Sequence, residues 1–229
     1  ASSAEYLPQP IVDLSLGDRD GLVVVMDLET TGLKHEEHRI IQIAAKVLGD
    51  TDDIFNAYVK PVGAEVSPFI SELTGIEQAF LDEEGMPFSQ AWAEFVRWMG
   101  DLRAAEGNRG KKIVMLAHNG RKFDFDFLAA EVDRHQCLGA PFQDWTHEAQ
   151  VDCFVYSLSI VRDTASWAGS KDKPKRFGQE ALYTHLFGTK LKNGHNALFD
   201  VLALEEILSH PYLAPWKKVA NKHQFLWKK

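Results

Sequence analysis

Five residues of this chain have types and spacing that could do chemistry together. Asp27 and Glu29, in Asp27-Leu28-Glu29, follow directly on the apolar run Leu22-Val23-Val24-Val25-Met26. If that run is a strand, alternation puts both carboxylates on one face. Two neighbouring carboxylates at the end of a buried strand repel each other and are costly to desolvate unless a cation lies between them. On these residues alone a solvated pair, or one acid capping the turn at Thr30-Thr31-Gly32, stands even with a cation site. Asp124 shares a helix face with Phe127 and Leu128 at i, i+3 and i+4. The two apolar residues should pack on a sheet and draw Asp124 to its edge, whereas Asp126 is rotated away and reads as a first-turn acid favoured by the helix dipole. That dipole role is also the alternative for Asp124. Asp200 lies on an i, i+4, i+7 stripe with Leu204 and Ile207, and a lone acid on an apolar stripe needs a partner. His195 precedes it by five residues, in Asn193-Gly194-His195-Asn196. A loop histidine is ordinarily a surface residue, and only its closeness to Asp200 singles this one out.

The elements that must position these groups follow from periodicity. Residues 22–26 form a continuous β-branched run suited to a strand buried on both faces. Residues 40–48 and 54–59 give two more strands with short turns, hence an antiparallel meander. A short helix is predicted near 71–75 and a firmer one over 89–105, with Ser89 as its cap and Trp92, Phe95, Val96 and Met99 recurring at three and four. Residues 113–117 read as a buried strand, 123–135 as a helix and 149–154 as a strand with a helix after it. Residues 165–176 read as a polar loop, and helices over 179–187 and 196–208 close the pattern. A meander followed by alternating helices and strands is an α/β domain with a mixed central sheet. Residues 1–20 read as a leader or edge segment, and 21–229 as one domain.

The chain has 229 residues, and 33 acids against 25 bases leave a net charge of −8. That argues against a general polyanion binder working by bulk charge, but not against an enzyme whose carboxylates recruit metal ions that bridge to phosphate. The chain has 2 cysteines, Cys137 and Cys153. No CxxC pair or N-x-S/T site occurs, which predicts a reduced intracellular compartment, cytoplasmic or nuclear. No apolar run approaches membrane-spanning length, and no signal peptide is legible. His35-Glu36-Glu37-His38 is not a zincin motif. Its histidines are three apart and fall in a loop, where they read as solvated. The basic, aromatic stretch from Trp216 to the C-terminus reads as a helix docked on the core in preference to a platform for single strands.

Asp27-Leu28-Glu29-Thr30-Thr31-Gly32, then His118-Asn119-Gly120 with Phe123-Asp124-Phe125 and Phe127-Leu128, then His195 and Asp200, resemble the three motifs of the DEDDh (DnaQ-like) 3′→5′ exonucleases. The wording is most similar to the three-prime repair exonuclease branch, which shares the His-Asn-Gly spelling. Ser71-Glu72-Leu73-Thr74-Gly75 and the leucine-rich stretch 180–188 resemble segments of that branch. The resemblance runs from about residue 23 to 208. It implies a ribonuclease H-like fold and hydrolysis that releases nucleoside monophosphates from the 3′ end of DNA, with single strands preferred. Asp27, Glu29, Asp124 and Asp200 would be the metal-binding acids. His195 would be the general base, carried on a loop free to swing toward substrate. Two Mg²⁺ ions are implied, Mn²⁺ substituting, since hard cations take oxygen ligands and no thiolate is at hand. Leu28, Thr30, Thr31, Leu33, Asn119 and Lys122 would meet the substrate, with Leu33 against the last base. Arg121 and the 171–176 stretch read as phosphate contacts at most, and that stretch more simply as a solvated loop. The implied partners are single-stranded DNA or the 3′ ends of duplex DNA, and no membrane, while RNA and a homodimer stay open. The alternatives are an exoribonuclease of the same architecture and a silent nucleic-acid-binding module.

Overall fold

Strand β2 (Gly21–Thr30) is the axis of the fold and is buried along its length except for a half-buried Asp27. Its alternation separates two layers. Leu22, Val24, Met26 and Leu28 pack in the cluster that includes Phe95 and Trp92 of α3 (Phe88–Ala104) and Phe125 and Leu128 of α4 (Asp124–Arg134). Val23 and Val25 face the other way, toward Val201 and Leu204 of α8 (Ala197–Ser209) and Trp216 of α9 (Trp216–Ala220). Phe95 is fully buried, and its loss to alanine would cost about 3–5 kcal/mol. The structure is a computed structural model, and it describes residues 5–6, 10–15, 21–50, 52–120, 122–137, 145–164 and 173–226.

Among the described residues the sheet has seven strands in the order β1 (Glu5–Tyr6), β7 (Phe225–Leu226), β6 (Cys153–Tyr156), β5 (Lys112–Ala117), β2, β3 (Ile40–Val47) and β4 (Ile54–Tyr58). β2, β3 and β4 make the expected antiparallel meander, while β5 runs parallel to β2 and β6 parallel to β5. This is the mixed central sheet flanked by helices that the sequence predicts. The register of β2 and β3 shifts between Glu29 and Thr30, next to the acids. Such irregularities re-aim side chains.

Several local expectations need correction. Helix α3 begins at Phe88 behind Pro87 and has no side-chain cap, so Ser89 lies inside the first turn. Proline at that position fixes φ and displaces the cap by two residues. The strand expected over 149–154 is Cys153–Tyr156, after the short helix α5 (Trp145–Glu148), and it runs straight into α6 (Ser157–Asp163). Helix α1 (Pro68–Thr74) starts earlier than expected, because Ser67 accepts the Ile70 N–H and caps it. Helix α2 (Gln78–Glu84) is not anticipated at all. Toward the C-terminus Trp216 and Ala220 are buried and β7 joins the sheet, as docking requires. Near the N-terminus Val12 and Leu14 are buried, and Gln224 Oε1 accepts the Ile11 and Val12 N–H groups. Residues 1–4, 7–9, 16–20, Thr51, Arg121, 138–144, 165–172 and 227–229 lie outside the described residues. Among the described residues no helix is long and apolar enough to cross a membrane.

Candidate active site

The C-terminal end of β2 brings Asp27 and Glu29 to the side of the sheet on which α8 lies. α8 contributes Asp200 from its first turn. Carboxylate oxygens of Asp27, Glu29 and Asp200 lie within 4.8 Å of one another. Asp124 arrives from the opposite layer, as the first residue of α4, buried and beside them. Its carboxylate accepts its own backbone N–H and that of Leu28. Asp126, the neighbouring acid, is half-buried in the same first turn.

The electrostatics are those of acids crowded together in a partly desolvated site. Burial, then the charges of Asp124, Asp200 and Glu29, pushes Asp27 well above the ordinary carboxylate range. Burial, then Asp200 and Asp124, raises Glu29 to about 8. Burial raises Asp124 to about 7 against the two backbone hydrogen bonds, and Asp200 to about 6 against the His195 N–H. Asp124 Oδ1 is buried and has no hydrogen-bond partner. The three clustered carboxyl groups, with the buried and unpartnered Asp124 Oδ1 beside them, fit hard divalent cations, which take oxygen ligands and would remove the repulsion. The donor set therefore fits Mg²⁺ or Mn²⁺.

A cleft of about 860 Å³ opens over the acids. His195 stands on its rim, exposed, with a backbone φ of 64°. Its N–H is held by Asp200 Oδ2 at 2.8 Å. The hydrogen bond ties the loop backbone to the acid cluster and leaves the imidazole exposed on the rim. Of the expected substrate contacts, Leu28, Thr30, Thr31, Leu33 and Asn119 line the cleft. Leu28 can offer only backbone there, since its side chain is in the core. Lys122 is exposed and is not among the cleft residues, because it sits in the turn before α4. Among the described residues lining the cleft, Arg176 is the only Arg or Lys.

Leu33 is 83% exposed at the tip of a braced loop. The Thr31 N–H donates to Arg39 O at 2.8 Å, and the Arg39 N–H to Thr31 Oγ1 at 3.0 Å. Gly32 admits the His38 ring so closely that a Cβ would lie 2.3 Å from it. His35 meets the edge of Phe127, and Arg134 donates to its carbonyl at 2.7 Å. These two histidines brace the loop, where the sequence suggested solvated ones.

Four residues here have roles that the sequence does not assign. Phe69 and Leu73 of α1, 69% and 38% exposed, form an apolar wall of the cleft. Their spacing of four on a short capped helix was the available signal. Gln179, first residue of α7 (Gln179–Phe187), donates to Asp200 Oδ1 at 3.1 Å and to its backbone carbonyl at 2.7 Å. His118 donates from Nε2 to the Phe177 carbonyl and meets Ser157 Oγ through Nδ1, both at 2.8 Å. Desolvation lowers its pKa to about 4, so it is a neutral strut fixing the segment that leads to Gln179.

A sequence model described as exonuclease, named for RNase T, matches residues 24–208. The exonuclease DPD1, chloroplastic/mitochondrial, of Arabidopsis thaliana is 28% identical over 187 residues, covering 81% of this chain and 54% of that protein. A PolC-type DNA polymerase III of Streptococcus thermophilus is 33% identical over 192 residues, covering 83% of this chain and 11% of the polymerase. The chain thus spans about half the plant relative and about a tenth of the polymerase. Among solved structures, the zinc-bound complex of Escherichia coli exonuclease I with single-stranded DNA superposes with a TM-score of 0.62 at 19% identity. That match covers 88% of this chain and 42% of the other.

Proposed function

The chain belongs to the exonuclease family, and from that membership we propose that it is a metal-dependent 3′→5′ exonuclease acting on DNA, with single strands preferred. The observation that carries the reading is the clustering of Asp27, Glu29 and Asp200, with buried Asp124 beside them and all four pKa values raised, in a cleft that has an apolar wall.

Asp27, Glu29, Asp124 and Asp200 would hold the divalent ions. When bound, such ions neutralise phosphate charge and lower the pKa of a water. His195 accepts the proton of the attacking water, a role open to an exposed imidazole on the rim of the site. Asp200 holds the His195 backbone, and Gln179 holds Asp200. Gly32 and the backbone of Thr30 and Thr31 border the terminal sugar. Leu33, Phe69 and Leu73 give unpaired bases an apolar surface, and stacking against such surfaces tolerates any sequence. A duplex end must fray to reach it, which is the ground for the single-strand preference. The exonuclease I structure carries single-stranded DNA, in line with this reading.

Mg²⁺ is the ion we favour because every donor is a carboxylate oxygen. The exonuclease I comparison holds zinc, so the metal is decided by titration of this protein. Cys137 and Cys153 are free, and burial pushes both thiols up, Cys137 to about 11. Such thiols suit a reduced intracellular compartment, and the organellar label of the plant relative makes an organelle as admissible as cytoplasm or nucleus. The decisive experiment incubates the protein with 5′-labelled DNA and RNA oligonucleotides, with Mg²⁺ and with chelator. A one-nucleotide ladder on DNA alone supports the reading, and a ladder on RNA alone replaces it with an exoribonuclease.

A further inference from the structure

We propose that Gln42 is a positioning residue for the acid cluster: from β3 it caps helix α8 and so sets Asp200 opposite Glu29. The inference rests on the reading of that cluster as the reacting centre.

Gln42 is completely buried and stands in register opposite Glu29, where the pairing of β2 and β3 shifts. Residues directly opposite in an antiparallel pair point to the same face, so both meet α8. Gln42 Oε1 accepts the Ala197 N–H at 3.0 Å. Its Nε2 donates to Asn56 Oδ1 at 2.9 Å and to Asn196 Oδ1 at 3.4 Å. Ala197 is the first residue of α8, and Asp200 lies in the same turn. The first N–H groups of a helix need acceptors from outside it. Asn196 occupies the cap position but makes no capping bond with its side chain. The acceptor comes instead from a strand 155 residues away in sequence.

A polar side chain costs free energy in a strand core unless it is bonded, and both neighbours, Ile41 and Ile43, are apolar and equally buried. The amide of Gln42 is explained by what it holds. A second polar tie between the same elements, Lys46 Nζ to Glu205 Oε2 at 2.8 Å, docks α8 farther along. Of these two ties between β3 and α8, that of Gln42 acts at the end that carries Asp200. Reacting groups tolerate little displacement, and an error of about 1 Å can cost about 10²-fold in rate.

Gln42→Met keeps length and volume without the amide. It should lower turnover by about 10–10²-fold, with KM for DNA changed by less than about threefold. Mn²⁺ binding, read by calorimetry, should weaken, and amide exchange should speed up over residues 197–200. Asn56→Ala removes one anchor of the amide at an exposed position of β4, where the core is untouched. It should give the same pattern in smaller degree. The double variant Lys46→Met/Glu205→Leu removes the other tie and should lower Tm while Mn²⁺ affinity and turnover persist. Wild-type Mn²⁺ affinity and exchange in both Gln42→Met and Asn56→Ala would overturn the proposal. So would an equal loss of Mn²⁺ affinity in the double variant, because docking of α8 in general would then set the site. Both readouts stand without turnover. A protein that binds Mn²⁺ but leaves DNA intact overturns the exonuclease reading and leaves the role of Gln42 to be judged on its own.

Discussion

Asp200 Oδ2 accepts the backbone N–H of His195 at 2.8 Å, so an acid of the cluster fixes the backbone from which the imidazole projects. The bond spans five residues and closes the turn in which Asn193 and His195 both take positive φ, 55° and 64°. Non-glycine residues hold such angles when their surroundings impose them. Here the surroundings are Asp200 itself and, through Asp200 Oδ1, Gln179.

Two substitutions separate the roles of this pair. Asp200→Asn keeps an acceptor for the His195 N–H but removes a charge from the cluster, so Mn²⁺ occupancy and turnover should fall together. His195→Ala leaves the carboxylates in place and should keep both metal and single-strand binding. Its turnover should drop by about 10²–10⁴-fold, the usual worth of general-base help. Calorimetric Mn²⁺ titration beside single-turnover rates checks this. Loss of metal in His195→Ala would show that the imidazole is a ligand and not the base.

Chelation and polarity test the reaction itself. Excess EDTA should abolish cleavage and added Mg²⁺ restore it. Folding, read by circular dichroism, should survive, because the core of Phe95, Trp92 and Leu128 owes nothing to the acids. A 5′-labelled strand should shorten one nucleotide at a time. A 3′-phosphate or a closed circle should resist, and rapid cutting of circular single strands would mark an endonuclease instead.

Much of this site was legible in the sequence because its acids end strands or share helix faces with apolar residues. Asp27 and Glu29 follow the run that became β2, and Asp124 and Asp200 share helices with Phe127 and Leu204. Period alone then decides which way each carboxylate points. The supports were not legible. Gln42 looks like an interruption in an apolar strand, and its partner Ala197 is fixed only by the packing of α8 on β3. Gln179 is one polar residue among many at a helix start. Strand β6 was misplaced by a few residues because Val151, Phe154 and Val155 are all apolar, and the parallel register with β5 selects among them.

The apolar wall should matter for binding more than for chemistry. Leu33→Ala and Phe69→Ala each remove a surface against which a base can lie, and base–aromatic stacking is worth about 1–3 kcal/mol by such substitutions. KM for a short single strand should rise by about 5–150-fold for Phe69→Ala, with turnover at saturation little changed. Steady-state kinetics on oligonucleotides decides it. An unchanged KM in both variants would place the strand along another wall of the cleft.

The raised acids make the metal-free protein sensitive to pH in a direction that can be fixed beforehand. Unfolded carboxyl groups titrate near 4. In the folded chain Asp200 titrates at about 6, Asp124 at about 7 and Glu29 at about 8, and Asp27 is also raised. Between those limits the folded state holds protons that the unfolded state has released. Stability from these groups is therefore complete below about pH 4 and is lost as pH rises through about 6 to 8. Without metal, Tm should fall steadily from pH 5 to pH 8. Asp27→Asn removes one charge from the cluster and should raise the metal-free Tm at pH 8, by about 2–4 °C for each kcal/mol of repulsion relieved. Saturating Mg²⁺ should restore the wild type at pH 8, since occupancy at about 100 times Kd is worth about 2.7 kcal/mol. At pH 5 protons occupy the same oxygens and compete with the ion, so its effect there should be small. Calorimetric melts of both proteins, with and without Mg²⁺, test all four statements. A metal-free Tm independent of pH over this range would mean that the four carboxyl groups do not share a buried site.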